Sequence, residues 1–532
     1  MEDTEQKGLE VEEVDLEDQN QAASILSLQP HSSTKEIEIE VFDTIDTNKR
    51  PKAFRSTFHE VIVVVILSLA PAASSLANGA YQMSMPETTS HFGISGGSMA
   101  WASGSVFLGS GSFVLLLGGL ADALGRKNSM MIGYAGYAIF ALIGGFMDNF
   151  IALCVMRGLQ GMSVAAGTPA AAGLLGSTYR SGQRKNRVMA CFSAGAPIGN
   201  CVGFTVGGIC TQLISWRAIH FFMTILYGSL AVAAFFFVPR DRAIDWENSL
   251  NILKKMDITG AFLSMAGFTL LAFSLTEGDA ADKGWKTPYV IALLIIGVLL
   301  IVALGVYESY IPEKPLIPMQ IWKSKDFTIT MLIVAMGWIE FYGVFTYFGM
   351  QYFEKVLGYS PLKTTACFLT MTIVGVAANI VVALTFHLMS GRMFMIIGTL
   401  GFLGGAIVWE TLDMHRSYWL GPFWAFTLSV IGGDITYNVA NMVTLSSVSR
   451  ELQSSAAGVF NTVIQFAGVI GLAISSAVVG ARNPYYGTPE QYDHIPELFD
   501  GFKNAYLLAI GCGSVAVFLS CFLKVGKSGA PA

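Results

Sequence analysis

A chain of 532 residues that is 53% hydrophobic and 13% charged, with a mean hydropathy of +0.54, carries about half the charge of an ordinary soluble domain. That balance excludes a soluble enzyme or a nucleic-acid binder and indicates an integral membrane protein. The net charge of -6 is local: the first 57 residues hold 14 Asp and Glu against 6 Lys and Arg, and the remainder is slightly basic.

Residues 1–57 are polar, acidic and poor in aromatics, with no basic start leading into a short apolar core, so they read as a disordered cytosolic tail rather than a signal peptide. From Phe58 onward fourteen apolar segments follow, at about 58–83, 98–118, 128–147, 149–178, 188–213, 217–238, 257–276, 287–308, 328–350, 361–386, 393–411, 419–446, 456–480 and 503–523. Each is near the length of a helix that crosses a bilayer. The expected class is an all-α polytopic membrane protein of fourteen transmembrane helices. They divide into a six-helix bundle (58–238), two linker helices with cytosolic loops (239–327), a second six-helix bundle (328–524) and a short tail (525–532).

Lys and Arg test the orientation. If both termini are cytosolic, inner segments collect 21 and outer loops 8, as the positive-inside rule requires. The other three are Lys7 and Lys35 in the far tail and Arg157 inside span 4.

Span 1 places Ser74, Asn78 and Gln82 at four-residue spacing, one turn after a bending Pro71. Between spans 2 and 3, Gly118 to Lys127 (GGLADALGRK) reads as a tight turn at a membrane face. Gly118 and Gly125 supply backbone freedom, Asp122 a local cap or partner, and Arg126 with Lys127 the charge that keeps the turn in the cytosol.

Span 4 carries Arg157, Gln160 and Gly161 in the order RGLQG. A buried arginine costs about 2.5–3.5 kcal/mol on insertion scales and is a functional candidate by default, with a structural hydrogen-bond hub as the alternative. Span 5 repeats glycine every fourth residue at Gly195, Gly199, Gly203 and Gly207, with Pro197 among them. Such a ladder admits a neighbouring backbone closely, and tight packing alone accounts for it.

Span 9 holds Glu340 with Trp338 and Tyr342 nearby and Tyr347 two turns on, expected on the same face. In span 12, Asp434, Tyr437, Asn438 and Asn441 fall at helical spacing on one face. Span 13 adds Asn461 and Gln465, four apart. These stripes line a shared aqueous cavity or bond helix to helix; their recurrence in both bundles favours the cavity. Glu340 and Asp434 are candidates to bind and release a proton, and either could instead be a paired structural acid.

The seven cysteines (Cys154, Cys191, Cys201, Cys210, Cys367, Cys512 and Cys521) lie in apolar runs with no C-x-x-C pair and no histidine at ligand spacing, so no metal is expected. No P-loop, H-E-x-x-H or dinucleotide fingerprint is present, so neither a cofactor nor enzyme activity is expected.

The spacing Gly118, Asp122, Gly125, Arg126, Lys127 resembles the G-x-x-x-D-x-x-G-R-[RK] signature of the major facilitator superfamily. RGLQG is similar to that family's fourth-span R-x-x-Q-G, which implies proton coupling or substrate contact for Arg157 and Gln160. SAGAPIGNCVGFTVGG resembles the fifth-span antiporter motif, departing from it at Ala196 and in the later glycine spacing. GRKNSMMIG at Gly125–Gly133 is echoed by GRMFMIIG at Gly391–Gly398, as expected of two related halves. Six plus two plus six spans looks like the fourteen-span drug:proton antiporters, and LANGAYQMSMPE with WRAIHFF resembles the fungal aminotriazole and boron resistance branch.

The resemblance implies a major facilitator fold and proton-coupled export of small toxic solutes by a monomer, most naturally in the plasma membrane, with a vacuolar membrane as the alternative. The implied partners are substrate, protons and lipid. It implies that the hairpin and the span 5 glycines serve gating. Family members often carry an acid in span 1, absent here, which moves attention to Glu340 and Asp434. A low-affinity uptake carrier for a small nitrogen compound or ion, and a transporter-like sensor without net flux, are the other classes.

Overall fold

The computed structural model describes residues 50–525 apart from positions 52, 95, 180–182, 241–256, 282, 313–314, 386–387, 415, 449–451, 484, 487–489 and 491–492. The acidic tail up to residue 49, most of the loop before span 7, and the last seven residues thus lie outside the described residues.

Every apolar segment becomes a helix. In chain order these are α1 (Thr57–His91), α2 (Ala100–Leu124), α3 (Arg126–Gly145), α4 (Phe150–Thr178), α5 (Gln183–Leu213), α6 (Arg217–Phe237), α7 (Ile258–Ala280) and α8 (Pro288–Tyr310). After these come α9 (Lys325–Val356), α10 (Pro361–Thr385), α11 (Gly391–Glu410), α12 (Pro422–Ser446), α13 (Gln453–Arg482) and α14 (Ile495–Ser520). No strand occurs among the described residues. Polar residues start the helices: Ser56, Asn149, Asp257, Ser324 and Ser390 each accept a backbone N–H of the first turn, and Pro288 and Pro422 open α8 and α12.

Twelve of these helices, among the described residues, are long and apolar enough to cross a membrane. The expected fourteen spans are therefore met for twelve. α3 opens on Arg126, Lys127 and Asn128, and α12 carries Asp434, Asn438 and Asn441, so both are too polar for that criterion. Large apolar side chains such as Ile225, Phe236, Leu299, Val302 and Leu384 stand more than half exposed on the helix exteriors, where a bilayer would solvate them.

Two boundaries differ from the sequence reading. The turn expected over Gly118 to Lys127 shrinks to Gly125, because α2 continues through Leu124 and α3 begins at Arg126. Gly125 makes the reversal alone, at φ 89°, where a side chain would be strained. In α9, the helix from Lys325 widens over Ile339–Thr346 and again over Tyr352–Val356 into π-helical turns, with an α-helical stretch at Tyr347–Gln351 between them.

α1 and α5 run parallel with their backbones in contact. A Cβ on Gly195 would lie 2.5 Å from the Ser68 carbonyl oxygen and one on Gly207 2.5 Å from that of Ala80; Gly199 and Gly203 press still closer on Ala72 and Leu76. The glycine ladder is the seat of α1, within the first six helices. One apolar core joins α1 and α3–α6 around Tyr134, Tyr137, Met223 and Tyr227. A second, rich in aromatics, surrounds Trp409, with Tyr506 stacked at 5.2 Å, and takes in Met83, Met99 and Phe204 from the first helices.

Two sets of helices, α1–α6 and α9–α14, meet along α2 and α13, which run antiparallel: Gly104 faces Leu472, Gly111 faces Gln465 and Phe466, and Gly458 faces Leu115. They also meet where α5 approaches the start of α10. There Thr365 Oγ1 donates to the Phe204 carbonyl at 3.1 Å, and the Leu362 amide donates to Gln212 Oε1 at 3.0 Å. This second contact lies at the end of the molecule away from Gly125. α7 lies over the α2–α13 seam, with Ser112 Oγ 3.3 Å from Thr269 Oγ1 and Phe268 stacked on Phe466 at 4.1 Å.

Candidate functional site

A small cavity of about 10 Å³, room for one water molecule, lies between α1–α6 and the later helices. Its lining is Asn78 and Gln82 from α1, Ser103 and Phe107 from α2, Arg157 from α4, Tyr342 and Tyr347 from α9, and Leu472 from α13. The polar members from α1 and α4 are carried by helices whose opposite faces expose apolar side chains such as Val61, Val65, Ile151 and Val155, so the spacing that puts polar residues in an apolar run aims them inward.

Arg157 dominates the electrostatics. It is 4% exposed, and its Nε and Nη1 have no hydrogen-bond partner. Its guanidinium carbon sits 3.9 Å from the centroid of the Tyr81 ring. Tyr81 Oη lies 3.0 Å from His220 Nδ1, and beside them Tyr137 and Tyr227 stack at 3.7 Å. Gln160 is fully buried, its Nε2 3.5 Å from the point where a Cβ on Gly144 would stand, next to His220.

Of the residues singled out in the sequence, the cavity brings together Asn78, Gln82, Arg157, Tyr342 and Tyr347. Asp434 is elsewhere: its Oδ2, without a partner, points at Gly375 of α10. Asn438 Nδ2 donates to Asn379 Oδ1 at 2.8 Å on that same helix. Tyr437 packs between Trp338 (5.9 Å) and Phe460 (5.5 Å), and Asn441 is half-buried further along α12. Gln465 lies in the α2–α13 seam, while Asn461 is exposed and donates to its own helix at the Ala457 carbonyl.

Glu340 and Tyr347 do not share a face, contrary to the seven-residue spacing. Tyr347 reaches the cavity, whereas Glu340, 1% exposed, turns towards α11 and α14; its Oε2 is 3.1 Å from the Cβ position of Gly513. The π-helical turns between them explain this, since extra residues per turn rotate one side chain away from the other.

The hairpin residues act within the first six helices. Arg126 Nη1 donates to the Gly173 carbonyl of α4 at 2.8 Å. Lys127 Nζ donates to the carbonyls of Phe235 (3.0 Å) and Val238 (2.5 Å), at the C-terminal end of α6 where a cation is favoured. The side chain of Asp122 lies outside the described residues.

Sequence reasoning missed Tyr81 and His220, and its statement that span 1 lacks an acid is overturned by Glu60, a buried carboxylate in the first turn of α1. Tyr179 Oη and Arg184 Nε donate to Glu60 Oε1 at 2.8 and 2.9 Å, and Arg184 Nη2 pairs with Oε2. The hydrogen bond to Glu60 raises the pKa of Arg184, and burial, then Glu60, pushes the Tyr179 phenol upward. The histidine inside WRAIHFF was the available signal for His220. Among the described residues no group of three His, Cys, Asp or Glu could hold a metal ion.

A family model described as Major Facilitator Superfamily matches residues 67–472. Similar proteins include the low affinity ammonium transporter of Saccharomyces cerevisiae, 29% identical over 81% of this chain and 83% of that one. The efflux pump terJ of Aspergillus terreus is 27% identical over 90% of both chains, and the aminotriazole resistance protein of Saccharomyces cerevisiae 27% identical over 90% and 87%. Among solved structures, a variant of the peptide transporter POT in complex with sulfate superimposes with a TM-score of 0.64 at 14% identity, over 90% of this chain and 99% of that one.

Proposed function

Because the chain belongs to the major facilitator superfamily, a family of membrane transporters, we propose that it exports small toxic solutes in exchange for protons. The observation that carries transport is the cavity between two sets of helices, lined by polar side chains from both. Such a site, exposed alternately to either face as one set rocks on the other, is how this architecture moves a solute. Relatives that include an efflux pump and a resistance protein favour export.

In this reading all fourteen helices span the membrane as a six-helix bundle (58–238), a linker pair within 239–327 and a second bundle (328–524). The distribution of Lys and Arg supports cytosolic termini and a cytosolic hairpin. We place the chain in the plasma membrane as a monomer. α12 crosses despite its polarity because its polar face is turned towards α10 and α13 rather than lipid. With the hairpin in the cytosol, the Phe204–Thr365 and Gln212–Leu362 contacts close the outer side.

Asp434 is the proposed proton carrier. Its partnerless oxygen has no cation to hold it ionised, and Asn438 and Asn379 stand ready to sense its charge. The test is solute flux by purified protein in liposomes with and without an imposed pH gradient. Asp434→Asn keeps size and hydrogen bonding but cannot ionise, so it abolishes gradient-driven export and permits exchange. Export by Asp434→Asn that stays fully gradient-driven removes Asp434 from the mechanism, and the same result with Glu340→Gln removes acid coupling through either residue.

The relative described as a low affinity ammonium transporter favours a second reading, uptake of a small nitrogen compound. Flux indifferent to the pH gradient supports it. Absence of flux for every solute supports a sensor.

A further inference from the structure

We propose that the solute taken by the cavity is a small organic anion, one bearing a carboxylate, sulfonate or phosphonate group. This rests on the transport reading above and narrows its substrate.

Arg157 is a full positive charge that cannot be shed. It is almost completely enclosed, and neither a carboxylate nor any other described side chain forms an ion pair with it. The Tyr81 ring attracts the guanidinium but carries no net charge to cancel it. An uncompensated charge in such a place costs several kcal/mol, and it is retained where a function requires it.

The acids of the second bundle do not neutralise the cavity. Asp434 is directed at Gly375, and Glu340 lies between α9, α11 and α14. Among the described residues the lining holds neither of them and no other acid, and Arg157 is its one charged residue. A cation entering it meets like charge. An oxyanion meets a guanidinium with Nε and Nη1 unengaged, two donors on opposite edges of its planar fork, and the amides of Asn78 and Gln82 are further donors in the same lining.

The test uses two probes of similar size and opposite permanent charge, benzenesulfonate and benzyltrimethylammonium. The full chain is purified for thermal unfolding in detergent with each probe and for counterflow in liposomes. Benzenesulfonate should raise the unfolding temperature and be carried; benzyltrimethylammonium should do neither. Arg157→Gln should weaken benzenesulfonate binding at least tenfold, and Arg157→Lys, which keeps the charge but loses the fork, should weaken it less.

Should Arg157→Gln not fold, Gln82→Glu places a carboxylate in the cavity; it must weaken benzenesulfonate and admit the cation. Wild-type binding of the cation as tight as the anion, no binding of the anion, or anion affinity unchanged in these variants overturns the proposal. Anion binding that needs Arg157 but occurs without flux supports the site while refuting the exporter reading.

Discussion

The guanidinium carbon of Arg157 stands 3.9 Å above the Tyr81 ring, and the same tyrosine bonds His220 through its hydroxyl at 3.0 Å. Tyr81 therefore links α4 to α6 from its place on α1. Tyr81→Phe keeps the ring under Arg157 and loses the hydrogen bond, a change of about 0.5–1.5 kcal/mol. Tyr81→Leu also removes the ring, a further loss of about 0.5–2 kcal/mol. Thermal unfolding in detergent should rank the wild type above Phe and Phe above Leu; Leu equal to Phe would show that the stacking contributes nothing.

The glycine ladder can be tested against a glycine with space around it. A methyl on Gly199 would collide with the Ala72 backbone, whereas nothing lies within 4 Å of one on Gly228 in α6. Gly199→Ala should destabilise by about 1–3 kcal/mol through overpacking. Gly228→Ala should be neutral or stabilise by up to about 1 kcal/mol, since alanine loses less backbone freedom on folding. Equal unfolding temperatures for the two variants would refute the close packing of α1 on α5.

Gln212→Ala removes the side chain that accepts the Leu362 amide at the start of α10. Losing one such bond shifts the balance by about 0.5–1.5 kcal/mol, two- to tenfold, towards the state in which α5 and α10 separate. Thiol labelling of a cysteine in place of Thr365, a near-isosteric change at a side chain buried against α5, should then accelerate by that factor over the same cysteine with Gln212 intact. An unchanged rate means that the contact does not hold the two sets of helices together.

At the hairpin, Arg126→Ala removes the bond to the Gly173 carbonyl, far from the cavity lining. Turnover should fall while substrate affinity stays within a factor of two or three. A tenfold loss of affinity, about 1.4 kcal/mol, at unchanged turnover would contradict a conformational role for this residue.

Helix positions were largely legible because an apolar run in a chain this poor in charge has one stable outcome, a helix with its backbone satisfied internally. Helix ends were not: α1 continues eight residues past the expected 83, to His91, because SMPETTSH is polar yet still helical. The cavity was half legible. Asn78, Gln82 and Arg157 stand out as polar residues among apolar ones, whereas Ser103, Phe107 and Leu472 look like ordinary helix residues until their neighbours are known. Glu340 shows the opposite failure, since periodicity assumes one kind of turn and α9 uses two.

α7 touches α2 through the Ser112–Thr269 pair and α13 through the Phe268–Phe466 stack, so it covers the line where the two sets of helices meet. Acyl chains therefore cannot wedge into that seam from the bilayer. A greasy solute dissolved in one leaflet has no sideways door there. The additional helix pair makes the molecule asymmetric towards the lipid around it.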